Sequence, residues 1–170
     1  LDISLLEQML KFWQFNSKEF NDSQPELYWT DEEKAFGDSI IKKYVGNNEF
    51  GCLLLSDRLG TQRGKFNLNL FNEDVSKIKN ILHQNNLPYF YWANQSLMAG
   101  EHFSFVNKIL DMKHIDLRIQ LYIKSKAKIN ISNQCGTNHL AARYSKCYEI
   151  QRQFPLQHNF VKGLTYIGNE

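Results

Sequence analysis

The segment KINISNQCGTNHLAA, residues 128–142, decides how the rest of the chain is read. Lys128 to Ser132 has the look of a short buried strand, Gly136 sits in a tight turn, and GTNHLAARYS (Gly136 to Ser145) reads as a helix. A strand that meets a glycine turn and passes straight into a helix is the βα unit of open parallel sheets. At such a helix start the backbone N–H groups of Gly136, Thr137 and Asn138 have no intrahelical acceptor, and the helix dipole adds positive potential. Thr137 and Asn138 bring side-chain donors as well. A diphosphate suits that geometry. The same residues also fit a structural turn in which Gly136 makes the bend and Asn133 or Thr137 caps the helix.

Working outward, the pattern repeats. FGCLLLS (Phe50 to Ser56) is a short continuous apolar run of the buried-strand kind, and PYFYWAN (Pro88 to Asn94) is aromatic-rich and strand-like. Between them EDVSKIKNILHQNN carries Val75, Ile78, Ile81 and Leu82 on one helical face. Phe103 to Met112 predicts a further helix, and DLRIQLYIKSKA a shorter one with a basic end. CYEIQ is the last strand the pattern supports, and the tail beyond it has no assignment. Upstream, Thr30 opens TDEEKAF as an N-cap with Glu33 at the third helical position, a capping box, with Asp31 and Glu32 near the positive helix end. Phe36, Ile40, Ile41 and Tyr44 form its expected buried stripe, and Gly46 its stop. LDISLLEQMLKFWQF places Leu5, Leu6, Met9 and Leu10 at helical spacing, and the polar NSKEFNDSQPELYW after it reads as a linker. The alternation specifies an α/β fold: a Rossmann-like parallel sheet flanked by helices, with ligands beyond the carboxyl ends of its strands.

Composition narrows the function classes. With 20 Lys plus Arg against 18 Asp plus Glu, the chain lacks the basic excess of a nucleic-acid-binding domain. An anion site must therefore come from local geometry. Cys52, Cys135 and Cys147 form neither a zinc pattern nor a disulfide framework, which points to a reducing compartment, the cytoplasm. No run approaches the roughly 18 apolar residues of a membrane span. There is no signal peptide, and a start at Leu1 suggests a piece of something longer.

A second loop, SDRLGTQRGK from Ser56 to Lys65, sets Arg58, Arg63 and Lys65 among Gly60 and Gly64, which allow close backbone approach to a phosphate. It matches neither GxxxxGK[ST] nor GxGxxG, and a solvated charged loop is the alternative. His139, one turn into the helix, either contacts a ligand, supports the loop or packs. His83, His102, His114 and His158 share no metal-ligand spacing, so no metal site is expected. Glu101, Asp111 and Asp116 read as solvated, Cys135 as a small filler residue beside the site, and Tyr89 to Trp92 as core.

The segment DLRIQLYIKSKAKINISNQCGTNHLAARYSK resembles the most recognisable stretch of the lipopolysaccharide heptosyltransferase-like glycosyltransferases (glycosyltransferase family 9 type). In that family a strand ends in Ser-Asn, followed by a polar pair, Gly, two variable residues and His-Leu-Ala-Ala. The matching residues are Ser132, Asn133, Gly136, His139, Leu140, Ala141 and Ala142. PELYWTDEEKAF is similar to the family's interdomain segment, and the resemblance covers roughly residues 25 to 146. It implies the C-terminal, donor-binding half of a GT-B fold, with residues 1–28 as interdomain helix and linker and 29–170 as the nucleotide-sugar-binding domain.

The resemblance further implies an inverting, metal-independent transferase that uses a nucleotide diphosphate sugar as substrate and needs no cofactor. Gly136, Thr137, Asn138, Ser56, Arg58, Arg63 and Lys65 would face the diphosphate; Asn133, Gln134 and His139 would face the donor sugar or support the loop. The partners implied are the nucleotide sugar, a missing N-terminal acceptor domain carrying the catalytic base, and a glycan or lipopolysaccharide-type acceptor. Any membrane association would be peripheral, through that acceptor. Two departures stand out. Gln134 replaces the Asp the family often has near the sugar, which argues against heptose, and CYEIQRQFPLQHNF lacks the usual Phe-Gly-Pro-type continuation. Both departures favour a competing reading, a non-catalytic Rossmann-like module that binds a nucleotide or a protein.

Overall fold

The computed structural model describes residues 26–55, 68–92, 103–133, 136–150 and 164–167. Six short strands, β1 Gly51–Leu54, β2 Pro88–Tyr91, β3 Asn107–Asp111, β4 Ile129–Asn133, β5 Lys146–Ile150 and β6 Leu164–Ile167, pair in parallel throughout. Their order is β3-β2-β1-β4-β5-β6, so the direction of winding reverses between β1 and β4. This is the doubly wound Rossmann-like α/β sheet that the alternation of elements specifies.

Four described helices cover both faces: α1 Asp31–Val45, α2 Leu68–Asn85, α3 Leu117–Lys126 and α4 Gly136–Ala141. Alternation along each strand sorts the side chains. Leu53, Leu55, Tyr89, Ile129, Ile131 and Ile167 point to one side, where Val75, Ile78 and Leu82 of α2 meet them. Cys52, Phe90, Trp92 and Met112 point to the other, against Ile40 and Val45 of α1 and Ile119 and Ile123 of α3. Farther along that second face, Ala141 and Ala142 cover Cys147 of β5.

The capping box at Thr30 is present in full: its hydroxyl accepts from the Glu33 N–H, and the Glu33 carboxylate accepts from the Thr30 N–H. Gly46 ends α1 at a φ of 64°, a conformation glycine adopts without strain. The buried stripe of α1 differs from expectation. Phe36 is 53% and Tyr44 37% exposed, and the line facing inward is Gly37, Ile40 and Val45. A side chain at position 37 would collide with the Tyr122 ring of α3. The bare backbone at Gly37 lets that ring pack against the helix and sets which face turns inward.

Three other elements depart from the sequence pattern. Residues 103–112 form no α-helix: Phe103 and Val106 make a tight turn, with Val106 N–H donating to Phe103 O at 3.2 Å, and β3 follows. Their apolar spacing fits a helix, but β3 is an edge strand with half-buried residues, so it carries little period-two signal. Its pairing with β2 also slips by one between Tyr89 and Phe90. The helix after Gly136 stops at Ala141, because Ser145 must reach back under the sheet, where its hydroxyl donates to Ala127 O at 2.6 Å and accepts from Asn130. The tail supplies a sixth strand. The N-terminal helix expected over residues 1–15 lies outside the described residues. Among these, no helix is long and apolar enough to cross a membrane.

Residues 26–30 lie against the domain. Arg143 pairs with Glu26 at 3.0 Å, Leu27 N–H donates to the Tyr144 hydroxyl at 2.7 Å, and the Trp29 indole donates to Arg118 O at 3.0 Å. Arg118 also bonds Tyr28 O at 2.5 Å and grips Glu33 through Nε and Nη2.

Two measurements test this architecture. Gly51 of β1 lies directly beside Tyr89 of β2, and a methyl group on it would overlap the ring. Gly51→Ala is expected to lower unfolding free energy in urea by about 2 kcal/mol. A neutral result would mean the ring is free to move aside. In the second, hydrogen bonds from Arg118 and the Thr30 N–H hold the Glu33 carboxyl at about 2, below its ordinary 4.5. A pKa depressed by folding contributes stability above pH 4.5 that is lost as pH falls toward 2. Glu33→Gln should therefore flatten the acid limb of the stability profile across that window. An unchanged slope would remove the Arg118 clamp as its cause.

Candidate functional site

Where strand order reverses, the loops leaving neighbouring strands part in opposite directions and leave a crevice beyond their carboxyl ends. In this chain the reversal, and with it the expected place of the crevice, is between β1 and β4. Asn133 is the last residue of β4, and α4 begins three residues later at Gly136. Gly136 is exposed, and a Cβ there would meet none of the described residues within 4 Å, so among these the space over the first turn of α4 is open on that side.

The polar side chains of α4 are engaged with the body of the protein. Thr137 is half-buried, and its Oγ1 accepts from Lys124 Nζ at 3.0 Å. Asn138 is buried and donates through Nδ2 to Tyr148 O at 3.1 Å, so its amide faces inward and leaves only the backbone N–H as a donor for the crevice. His139 Nε2 lies 3.2 Å from Glu149 Oε1, which shares its hydrogen bond, and 3.1 Å from Oε2, which is close but poorly aligned. Asn133 holds the strand end, with its side chain undescribed. Gln134, Cys135, Ser56, Arg58, Arg63 and Lys65 lie outside the described residues.

Beneath α4 the sheet is polar where a parallel sheet is normally apolar. Asn130 and Ser132 of β4 and Glu149 of β5 are all fully buried. Pairing places Ser132 beside Glu149 and Asn130 beside Cys147, so these residues share one face. Asn130 Nδ2 donates to Lys124 O at 3.0 Å and to Ser145 Oγ at 2.8 Å. Three buried acceptors, Asn130 Oδ1, Asn138 Oδ1 and Glu149 Oε2, have no donor among the described residues. Such atoms are costly unless water reaches them.

Lys124 is 1% exposed although it is a lysine. It sits near the end of α3, and helical side chains lean toward the helix N-terminus, which carries its ammonium up toward the carboxyl ends of the strands. There Nζ lies between Thr137, which follows β4, and the ring of Trp92, which follows β2, at 5.6 Å from the ring centroid. Trp92 is itself fixed: its Nε1 donates to Gln120 Oε1 at 2.9 Å, and Gln120 donates to Met112 O and Ile115 O. Burial pushes the Cys52 thiol nearby up to about 12, with the Lys124 charge acting the other way. Cys52 is therefore a protonated core group.

Several sequence candidates have structural duties. Asp116 caps α3 by accepting the Arg118 N–H, Asp111 accepts the Lys113 N–H, and His83 stacks on Phe105 at 4.2 Å. Tyr89, Phe90 and Trp92 are core residues. No group of three or more His, Cys, Asp or Glu among the described residues could hold a metal ion. Sequence reasoning missed Lys124, Asn130 and Glu149. For Asn130 the signal was present in KINIS, which alternates apolar and polar although both faces of the sheet are covered.

The His139–Glu149 contact gives a direct test. His139→Ala strips the partner from a fully buried carboxylate and should cost about 3 kcal/mol in urea unfolding. Glu149→Leu removes the buried charge together with the contact and should cost clearly less. Equal losses would mean that this contact is not what seats α4.

No family model matches the chain, and no curated protein matches it. Among solved structures the chain is similar to that of E. coli ADP-heptose lps heptosyltransferase II, with a TM-score of 0.53 and 12% identity over 84% of this chain and 45% of that one. The chain thus spans less than half the length of that structure. At such identity the likeness is one of fold, and it shows a glycosyltransferase-like α/β architecture in this chain.

Proposed function

We propose that this chain is the donor-binding half of an inverting, metal-independent glycosyltransferase that takes a nucleotide diphosphate sugar. The observation that carries the reading is the β4–α4 junction. It lies at the reversal of strand order, the space beside Gly136 is open, and its sequence is the Ser-Asn-x-x-Gly-x-x-His-Leu-Ala-Ala block. The diphosphate would lie over the backbone N–H groups of Gly136, Thr137 and Asn138, and the resemblance adds Arg58, Arg63 and Lys65 of the segment that follows β1 in sequence. These groups stabilise negative charge as the diphosphate departs, which is the main service a donor site gives to glycosyl transfer. Gln134 in place of an acidic residue favours a donor sugar other than heptose. The acceptor site and the catalytic base belong to a domain beyond this chain.

One observation favours a second reading, a Rossmann-like module without catalysis. Thr137, Asn138 and His139 all spend side-chain contacts inside the protein, as residues of a purely structural helix would.

Calorimetric titration with UDP, ADP and GDP, with and without magnesium, separates the two. The donor reading expects one nucleotide to bind regardless of magnesium and to weaken at least about tenfold on Arg58→Ala, the loss of one charge-assisted contact. Silence toward all three, in this chain and in any longer protein that contains it, would leave the module as the better account.

A further inference from the structure

No carboxylate among the described residues pairs with the buried Lys124 ammonium. Among the described residues its contacts are the Thr137 hydroxyl oxygen at 3.0 Å and the Trp92 ring at 5.6 Å. Glu149, the fully buried carboxylate on this face, is taken up by His139. One neutral hydrogen bond and one cation–π contact offset only part of what it costs to bury a charge. A Leu or Met would fill the same volume on α3 at no such cost.

We propose that Lys124 is a positioning residue whose counter-charge is the anionic group of the bound ligand, a diphosphate. The inference rests on the donor-site reading above and assigns that site a charge which the surface composition does not reveal. The location supports it. Nζ is held between residues that follow β2 and β4, and β1 lies between those two strands in the sheet. The ammonium therefore sits under the crevice, one hydrogen bond below Thr137. An ammonium only donates, so the Thr137 oxygen must accept and its hydroxyl hydrogen is turned away from Lys124. Lys124 thus sets the direction in which Thr137 donates. It also adds an unscreened positive potential, because a buried charge is shielded little by salt. An anion over the first turn of α4 need not touch Nζ to be held by it.

The test uses the whole chain, Lys124→Met and two readouts. In the first, urea midpoints are measured with and without inorganic pyrophosphate, and dissociation constants with UDP, ADP and GDP. The variant is expected to be at least as stable as wild type without ligand, and to bind diphosphates at least tenfold more weakly. In the second, the Lys124 15Nζ resonance of the wild-type protein is followed during the pyrophosphate titration and is expected to move with saturation. Equal affinity in the variant, or a stationary resonance while pyrophosphate binds, overturns the proposal and leaves the donor-site reading standing. A variant that is much less stable without ligand also overturns it, assigning the ammonium to the fold. If wild type binds neither pyrophosphate nor any nucleotide, the donor-site reading falls and this inference falls with it.

Discussion

Helix α4 is held to the sheet mainly by hydrogen bonds, and the rest of the site depends on that. A helix over a parallel sheet normally stays in place by burying an apolar stripe. The apolar share of this junction is small: Ala141, Ala142 and Cys147, with Leu164 at the margin. The remaining attachment to the strands is polar, through Asn138 to Tyr148 O and His139 to Glu149. Hydrogen bonds fix direction where apolar contact fixes only proximity. Six residues long, α4 could not be oriented by propensity, since helices of that length are unstable alone. The polar layer beneath it therefore determines where its first turn opens, and with it where an anion would sit.

How much of this was legible in the sequence depends on what each element needed. Thr30, Glu33 and Gly46 act within one turn of chain, so the boundaries of α1 were readable. Strand β1 is central and covered on both faces, and its apolar run announces it. Strand β3 has one neighbour and half-buried side chains, so its residues keep a spacing that also suits a helix. Even in α1 the inward line was only partly read: Ile40 and Ile41 face the core as expected, whereas Phe36 and Tyr44 are exposed and Gly37, against the Tyr122 ring of another helix, takes an inward place. Tertiary contacts of that kind leave no local trace.

The site divides along the same line. The glycine turn and the helix start are local features, and the block around Gly136 displays them. The burial of Lys124 is not local. Along α3 a lysine two residues before Lys126 looks like the basic end of a surface helix, the ordinary place for a cation near a helix C-terminus. Only the arrival of Thr137 and Trp92 from distant positions turns it into an interior charge. The polar alternation in residues 128–132 was the available warning, since a strand covered on both sides has no solvent face to account for Asn130 and Ser132.

The segment that follows α4 joins two parts of the molecule. Arg143 and Tyr144 reach out to Glu26 and Leu27, while Ser145 reaches inward to Ala127 O and Asn130. Trp29 packs edge-on against both Tyr122 and Tyr144, and Arg118 holds Tyr28 O and Glu33 together. The chain thus enters the domain along the far end of the helix whose near end opens the candidate site. Residues 26–30 touch both α3, through Arg118 and Tyr122, and the segment after α4, through Arg143 and Tyr144. The packing that seats the entering segment and the polar layer that seats α4 are accordingly parts of one structure, and the position of the first turn follows from both.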